Sequence, residues 1–262
     1  MDIVLTIEDV SKNFGGISAV KNLSIEVEKN KILSIIGPNG AGKTTVFNLL
    51  TGFYKPDKGR FKYDGLDVTG FPPHKVADIG IARTFQNIKI FPWMTALDNV
   101  IVARQLRERT GLFRSMLRTS ALIKKESASA DKAMEILKHF HIADKFDFQA
   151  KNLSYGDQRK LEMARALATE PKILLLDEPT AGMNSNESEE CVKVIYNIKN
   201  KLGITIILIE HDMNIVMNVS DKVVVLDHGE KISEGNPGDV QKDKAVIKAY
   251  LGEEFINYAE NQ

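Results

Sequence analysis

The sequence predicts an α/β fold in which a mainly parallel sheet is joined to an N-terminal antiparallel β subdomain and an inserted helical subdomain. Apolar runs such as 173–176 and 223–226 alternate with helical segments, which is typical of buried parallel strands covered by helices on both faces. Apolar and polar residues alternate over 23–28, which indicates a half-buried antiparallel strand. From about 95 to 140 the spacing is helical, with no strand-like run, and this predicts the insert.

The same patterns place the individual elements along the chain. Strands are expected at 3–7, 20–27, 31–36, 60–63, 81–86, 173–177, 204–210 and 222–227. Helices are expected at 45–50, 72–79, 98–106, 113–123, 130–140, 161–168, 186–202, 212–219 and 239–251. We therefore expect one domain over 1–262, with the β subdomain and sheet core in 1–94 and 170–252, the helical subdomain in 95–169 and a loose tail in 253–262.

The composition is that of a chain with enough apolar residues for a sizeable core and no net charge. Of 262 residues, 43% are hydrophobic, and 35 basic side chains balance 35 acidic ones. This balance argues against a protein built to coat nucleic acid, so we expect no nucleic-acid partner. The single cysteine, Cys191, excludes an internal disulfide, the N-terminus lacks a secretory pattern, and the apolar runs are shorter than the ~20 residues that span a bilayer. We expect a soluble protein of the cytoplasm.

The stretch Gly-Pro-Asn-Gly-Ala-Gly-Lys-Thr-Thr at 37–45 matches the phosphate-binding loop. It lies between a predicted buried strand and a predicted helix, which is the context that this motif requires. The glycines can aim backbone N–H groups at a phosphate, and the helix N-terminus adds positive potential. Lys43 would reach the outer phosphates, and Thr44 would ligate Mg²⁺. The alternative is an ordinary glycine turn between a strand and a helix.

Two carboxylates, Asp177 and Glu178, stand at the end of a second predicted buried strand. Side chains at the C-terminal ends of strands in an open α/β sheet point into the ligand crevice. Asp177 is therefore placed to hold Mg²⁺, and Glu178 to polarise an attacking water as a general base. The alternative is that acidic residues often end a strand before a turn, and Pro179-Thr180 signals such a turn. The combination with 37–45 favours the functional interpretation.

The stretch Leu-Ser-Tyr-Gly-Asp-Gln-Arg at 153–159 opens a predicted helix. Ser154 followed three residues later by Asp157 matches a capping box, which accounts for the pattern structurally. The Ser154 hydroxyl, the Gly156 amide and the helix N-terminus would also form a phosphate-binding site. This second site has no phosphate loop of its own, so its nucleotide would come from elsewhere, most simply from a second copy of the chain.

Five motifs, at 37–45, Gln86, 153–156, Asp177-Glu178 and His211, resemble in this order the ATP-binding subunits of ABC transporters, over essentially the whole chain. The resemblance implies a P-loop NTPase core and two ATPases that enclose two ATP molecules. Each ATP would be bound by the phosphate loop of one subunit and by the Leu-Ser-x-Gly stretch of the other.

The resemblance also implies a role for individual residues. The residues implied for ATP binding are Phe14, stacked on the adenine, Val20 beside it, Asn39, Gly40, Ala41, Gly42, Lys43, Thr44 and Thr45 in the loop, and Ser154 and Gly156, which act on the ATP of the opposite subunit. The residues implied for catalysis are Glu178 as general base, His211 at the γ-phosphate, Gln86 and Lys43, and those implied for Mg²⁺ are Thr44, Gln86 and Asp177. Taken singly, Phe14 also fits a turn aromatic, Gln86 an ordinary polar residue, and His211 a helix-start histidine.

Two departures from the usual family pattern resemble the branched-chain amino-acid uptake branch. Tyr155-Gly156-Asp157 replaces the usual Gly-Gly-Gln, and Asn184 stands where aspartate is common. They leave open the contacts across the dimer and the role of Asp157, whose charge would be unfavourable near phosphate. A lipopolysaccharide-export-type ATPase is the nearest alternative.

The resemblance implies partners as well. The Gln86–Met94 region would form a groove for a short helix of a transmembrane permease subunit, and a second ATPase subunit would complete the site. The chain would then be peripheral on the inner face of the cell membrane. The stretch from Arg104 to Lys125 carries seven Lys or Arg and one Glu. An amphipathic helix with a solvated basic face is the favoured interpretation, and contact with anionic headgroups is the alternative.

The sequence therefore predicts a Mg²⁺-dependent ATPase that drives a membrane importer of branched-chain amino acids. Two alternatives come from other classes. A soluble ABC-type ATPase acting on nucleic acid or ribosomes would usually carry two ATPase units or a coiled-coil arm. A phosphate-loop kinase would leave Ser154, Gly156 and His211 without a role.

Overall fold

The computed structural model of the chain describes residues 2–108 and 120–251, and side chains over 2–105 and 127–250. These residues fall into two compact units, Met1–Ile79 with Ile195–Gln262 and Gly80–Val194. The described strands are β1 (Ile3–Phe14), β2 (Ile17–Glu28), β3 (Ile32–Ile36), β4 (Lys58–Tyr63), β5 (Leu66–Asp67), β6 (Ile81–Arg83), β7 (Ile173–Asp177), β8 (Thr205–Ile209), β9 (Lys222–Asp227) and β10 (Glu230–Gly235). The described helices are α1 (Lys43–Leu50), α2 (Pro73–Asp78), α3 (Ala96–Glu108), α4 (Ser120–His139), α5 (Tyr155–Ala168), α6 (Ser185–Leu202), α7 (Met213–Val219), α8 (Pro237–Val240) and α9 (Lys244–Leu251), with short 3₁₀ turns at Ala143–Lys145 and Ala150–Asn152.

In the first unit, an antiparallel sheet has the strand order β2-β1-β4-β5. β1 and β2 form a long hairpin in which Ile7 lies opposite Ile25 and Val10 opposite Leu23. These four side chains are buried, and polar neighbours alternate with them, as one buried face of a sheet requires. This is the predicted antiparallel β subdomain, with longer strands than the sequence pattern indicates.

The first unit also contains the strands that carry the phosphate loop. Their order is β10-β9-β3-β8, with β3 parallel to both β9 and β8, and β10 antiparallel to β9. Every residue of β3 and of β8 is buried, which explains why both strands are apolar apart from Ser34 and Thr205. A core on one side of these strands consists of Ile36, Val216, Val223, Val225, Val240 and Val246.

The second unit combines two strands with a group of helices. β6 is parallel to β7, with Ile81 opposite Ile173. Helix α3 packs against α4 and α5, and their contacts bury Val100, Leu137 and Leu161 completely. The helical character predicted after residue 95 is therefore present.

Helix α6 buries the single cysteine of the chain. The Cys191 side chain has no exposed surface, and its Sγ lies 4.0 Å from the carbonyl oxygen of Pro179.

Some predicted elements differ from the structure. The sequence pattern does not predict β5 or β10, because neither strand has enough apolar residues to form a visible alternation. β6 ends at Arg83 rather than at Gln86. The closing helix predicted at 239–251 is divided into α8 and α9.

The helical insert also differs from its prediction. Helix α4 is continuous, so the predicted helix at 130–140 and the end of that at 113–123 belong to one element. Residues 109–119, which are half of the basic stretch, and the predicted tail at 253–262 lie outside the described residues. The second compact unit is wider than the predicted subdomain of 95–169, because it includes β6 and β7. Over the two described ranges, no helix has both the length and the apolar character needed to cross a bilayer.

Gly59 provides a test of the antiparallel sheet. It has φ of 80°, and a methyl group there would lie 2.4 Å from the Glu8 carbonyl oxygen, beside an irregularity in the β1–β4 pairing. Gly65 has a similar φ of 78° but no atom within 4 Å of the corresponding position. We expect Gly65→Ala to lower the free energy of unfolding by about 1–2 kcal/mol through backbone strain alone. Gly59→Ala should lower the free energy of unfolding by a further ~1–3 kcal/mol, because the added methyl group clashes with the Glu8 carbonyl oxygen.

Urea unfolding of the two variants and of the unchanged chain measures this difference. Equal losses for Gly59→Ala and Gly65→Ala would contradict the close approach of β1 and β4 at Gly59.

Candidate functional site

The predicted phosphate loop follows β3 and leads into α1, and neighbouring backbone confines it. A methyl group at Gly37 would lie 2.0 Å from the carbonyl oxygen of Leu226, and one at Gly42 would lie 2.4 Å from that of Ala19. Gly42 is the N-cap of α1, and no side chain caps this helix start. No side chain therefore competes with an anion at the N-terminus of α1.

Lys43 begins α1, and its ammonium group is held by the loop. Nζ donates to the carbonyl oxygens of Gly37 at 2.7 Å and of Pro38 at 2.8 Å, while Lys43 is only 8% exposed. The next residue, Thr44, is exposed. A buried positive charge and an accessible hydroxyl are thus both present at the start of α1.

The other loop residues differ in their exposure. Asn39 and Gly40 are exposed, Thr45 is half-buried, and Ala41 is buried. The Ala41 carbonyl oxygen accepts from the amide of Gly229 at 3.1 Å, which ties the loop to the turn between β9 and β10.

Phe14 ends β1 and offers an aromatic surface. Its ring is 42% exposed and makes an edge-to-face contact with Tyr54, with 5.1 Å between the ring centroids. Asp57 fixes the same end of the hairpin by accepting from Lys12 Nζ at 2.8 Å. In contrast, Val20 has no exposed surface. The prediction that Val20 lies beside the adenine is therefore not supported, because its side chain is packed inside the hairpin sheet.

His211 follows β8 and precedes the Asp212 N-cap of α7, so it does not begin that helix. Its side chain is 62% exposed, whereas the neighbouring Glu210 is completely buried. The Glu210 carboxylate accepts from the His211 amide at 3.1 Å and lies 3.7 Å from Nδ1. The imidazole is therefore accessible, while its backbone is fixed by a buried carboxylate.

In the second unit, Asp177 ends β7 and is paired with an arginine. Nη2 of Arg83 donates to Asp177 Oδ2 at 2.7 Å, and the two side chains are 6% and 3% exposed. The Asp177 amide donates to the hydroxyl of Thr84 at 3.2 Å. Sequence analysis does not find this role of Arg83.

Glu178 and Gln86, which are both predicted catalytic residues, are in contact. Gln86 Nε2 donates to Glu178 Oε2 at 3.1 Å. Glu178 has φ of 49°, which is uncommon for a residue with a side chain and costs roughly 1–3 kcal/mol. Such strain is typical of functional positions that their surroundings hold in place.

Ser154 is the N-cap of α5, as its pattern predicts. Its hydroxyl accepts from the amide of Asp157 at 3.2 Å. The Asp157 carboxylate accepts from Lys145 Nζ at 2.6 Å and raises the pKa of Lys145. The charge that would be unfavourable near phosphate is therefore paired with a lysine.

Gly156 faces the side chain of Glu187, and a methyl group at Gly156 would lie 2.8 Å from Glu187 Oε1. Glu187 and Asn184 form a reciprocal capping box at the start of α6. The Asn184 amide donates to Glu187, and the Glu187 amide donates to the Asn184 side chain, both at 3.0 Å. Asparagine at 184 is thus explained, because it caps α6 as well as an aspartate does.

Large apolar side chains are exposed after Gln86 and after α4. Within the second unit they are Phe91, Trp93, Met94, Phe146 and Phe148, with exposed fractions of 39–71%. Their two segments are connected, because the Ala150 amide donates to the Met94 carbonyl oxygen at 2.9 Å. Lys151 Nζ lies 3.4 Å from the centroid of the Trp93 ring. We call this set the apolar surface.

Known proteins resemble the chain along nearly its whole length. The sequence profile of the ABC transporter family matches residues 20–181, and that of the branched-chain amino acid ATP-binding cassette transporters matches residues 230–256. The high-affinity branched-chain amino acid transport ATP-binding protein LivG of Salmonella typhimurium is 43% identical over 95% of this chain and 98% of its own length. BraF of Pseudomonas aeruginosa, which has the same description, is 41% identical with the same coverage.

The fold has close relatives among solved structures. A nucleotide-free ATP-binding cassette from an ABC transporter superposes with a TM-score of 0.83 and 34% identity, over 96% of this chain and 100% of the other. This likeness confirms the predicted fold class. The chain therefore belongs to the ABC transporter family, in the branch of the branched-chain amino acid ATP-binding cassettes.

Proposed function

We propose that this chain is the Mg²⁺-dependent, ATP-hydrolysing motor subunit of a membrane importer for branched-chain amino acids. The observation that carries the proposal is the hydrogen bond from Gln86 to Glu178, because it joins a candidate metal ligand to the candidate general base. The descriptions of the relatives as branched-chain amino acid transport ATP-binding proteins support the substrate.

ATP binding rests on residues of the first unit. The uncapped start of α1 and the Lys43 ammonium would hold the phosphates, because backbone amides and a fixed positive charge both stabilise anions. The exposed ring of Phe14 would stack on the adenine. The side chain of His211 would reach the γ-phosphate.

The residues present fit a magnesium ion bound with ATP. The Thr44 hydroxyl, the Gln86 amide and the Asp177 carboxylate supply the oxygen ligands that Mg²⁺ prefers. Because its nitrogen donates to Glu178, Gln86 keeps its amide oxygen for the ion. Arg83 fixes the orientation of the Asp177 carboxylate. When bound, the ion would neutralise charge on the phosphate oxygens.

Hydrolysis would use Glu178 as the general base. Its carboxylate would accept a proton from the water that attacks the γ-phosphate, while Gln86 holds one carboxylate oxygen. The unusual backbone conformation of Glu178 supports this role, since strained residues concentrate at catalytic sites.

A second ATPase subunit would complete the site. Ser154 and Gly156 lie at the start of α5, which has 14 residues and whose amides can bind a phosphate. The second unit has no phosphate loop, so this surface would act on the ATP of a partner subunit. Glu187 would then have to leave Gly156, since its carboxylate would repel the incoming phosphate.

The apolar surface would receive the permease subunits and keep the chain on the inner face of the membrane. Exposed clusters of large apolar side chains are more common at protein interaction sites than on the rest of a protein surface. Its position directly after Gln86 supports a connection between permease movement and ATP hydrolysis.

The alternatives have less support. A lipopolysaccharide-export-type ATPase and a soluble ATPase do not account for the match at residues 230–256. A phosphate-loop kinase does not account for membership in the ABC transporter family.

The first test removes the proposed base. Glu178→Gln should lower the turnover of the assembled transporter by about 10²–10⁴-fold, because an amide cannot accept the proton from water. Binding of a fluorescent ATP analogue should remain unchanged, since the amide occupies the same space. Glu189→Gln, on the exposed face of α6, is the matched control. Turnover near that of the unchanged transporter would contradict the proposed role of Glu178.

The second test concerns magnesium. Thr44→Ala should raise the Mg²⁺ concentration for half-maximal ATP turnover by about tenfold, since one hydroxyl ligand is lost. Thr44→Ser keeps the hydroxyl and should titrate like the unchanged protein. Identical Mg²⁺ titrations for the alanine and serine variants would count against Thr44 as a ligand.

The third test concerns the apolar surface. Trp93→Ala should weaken binding to liposomes that contain the permease subunits by at least about tenfold, as expected for an aromatic anchor. Leu66→Ala removes an apolar side chain that is 70% exposed, close to the 71% of Trp93, and serves as the control. Unchanged sedimentation of the Trp93 variant with these liposomes would exclude the apolar surface as the docking site.

A further inference from the structure

The backbone that carries Gln86 is held by side chains of helix α5. We call residues 85–89 the Gln86 loop. Arg159 Nη1 donates to the Phe85 carbonyl oxygen at 2.8 Å, and its Nη2 donates to the Gln86 carbonyl oxygen. Glu162 Oε1 accepts from the amides of Lys89 at 2.9 Å and Phe85 at 3.3 Å. One arginine and one glutamate thus satisfy backbone groups on both sides of Gln86.

Both side chains are buried. Arg159 is 3% and Glu162 5% exposed, and 3.5 Å separates Arg159 Nη1 from Glu162 Oε2. Burial raises the pKa of Glu162, and the backbone donors and Arg159 act in the opposite direction. Buried charges of this kind contribute little net stability, because desolvation offsets their attraction. Their hydrogen bonds do fix one conformation of the Gln86 loop.

Arg159 also contacts the start of α5. Its Nη2 donates to the Tyr155 hydroxyl at 3.0 Å, and the guanidinium lies 5.5 Å from the centre of that ring. Tyr155 stands between Ser154 and Gly156, the two residues proposed to act on the ATP of the partner subunit. A single guanidinium therefore bonds to the Ser154–Gly156 segment and to the backbone of Gln86.

The Gln86 side chain continues this connection to Glu178 through the hydrogen bond of 3.1 Å. Three consecutive contacts link the partner-facing segment to the proposed base: Tyr155 to Arg159, Arg159 to the Gln86 backbone, and the Gln86 side-chain amide to Glu178.

We propose that Arg159 is a positioning residue through which ATP bound by the partner subunit at Ser154 and Gly156 sets the orientation of Glu178 in this subunit's own site. The inference rests on the proposed function. It would couple the two sites of a dimer, because nucleotide bound at Ser154 and Gly156 would act on the same hydrogen bonds that hold Gln86 beside Glu178. A connection of packed residues counts as coupling only when energetic coupling between them is measured.

Two variants test this connection in the assembled transporter. Tyr155→Phe removes only the hydroxyl that bonds to Arg159, and the residue is 47% exposed, so the fold should be unaffected. Arg159→Lys keeps the charge beside Glu162 but cannot make the same set of hydrogen bonds. Tyr196→Phe, at a tyrosine that is 44% exposed on α6, is the control.

We expect Tyr155→Phe to lower the maximal turnover by at least about tenfold, as the loss of one hydrogen bond to a charged group gives. The Hill coefficient for ATP should fall towards one, and ATP binding by the separate subunit should stay unchanged. The double variant should be no slower than Arg159→Lys alone, because both changes interrupt the same connection.

Normal cooperativity of Tyr155→Phe, or effects of the two substitutions that multiply, would overturn the inference and leave Arg159 a structural residue. If Arg159→Lys does not fold, Tyr155→Phe alone decides. The Glu178→Gln variant distinguishes a failure of the coupling from a failure of the proposed function. An inactive Glu178→Gln together with a normal Tyr155→Phe rejects only the coupling, whereas an active Glu178→Gln rejects the proposed function.

Discussion

The path of the phosphate loop depends on two glycines at which backbone from another strand occupies the space that a side chain would need. At Gly37 and Gly42 the carbonyl oxygens of Leu226 and Ala19 stand where any larger residue would have its Cβ. These oxygens belong to β9 and β2, and β9 is far from the loop in sequence. The path of the loop is therefore set by the packing of the whole first unit, and the amides at the start of α1 are aimed before any ligand arrives.

The second unit uses a different device, which is the pairing of buried charges. Arg83 with Asp177 and Arg159 with Glu162 lie almost without exposed surface. Such pairs bring little net stability, yet removing one member leaves an uncompensated charge and is costly. Their effect is to select one arrangement of the chain around Asp177 and Gln86. In the first unit, the loop is thus confined by neighbouring backbone that leaves no room for a side chain at Gly37 and Gly42. In the second unit, the candidate site residues are held in place by buried ion pairs.

The sequence predicts the fold class well, because buried parallel strands leave continuous apolar runs and the motifs stand at the ends of those strands. It also identifies Gln86 and Glu178, although only through their motifs, and it does not predict the hydrogen bond between them. It does not predict Arg159 or Glu162, since a charged residue on a helix normally indicates a solvated face. Their burial follows from the Gln86 loop, because backbone groups of this loop are satisfied by the Arg159 and Glu162 side chains.

Other limits have equally physical causes. β10 pairs with β9 through its backbone, and its side chains are too polar for the sequence pattern to predict a strand. Val20 fits a motif position, but the sequence does not show that its side chain is completely buried. Asn184 looks like a departure from the family pattern, whereas its capping function preserves the local structure.

The position of Cys191 has a practical consequence. Its thiol has no exposed surface and lies against the carbonyl oxygen of Pro179, the residue that follows Glu178. A thiol reagent can reach it only when α6 and this segment separate, so the rate of labelling counts such openings. Because the chain has no other cysteine, the labelling rate of Cys191 reports this opening without any engineered label.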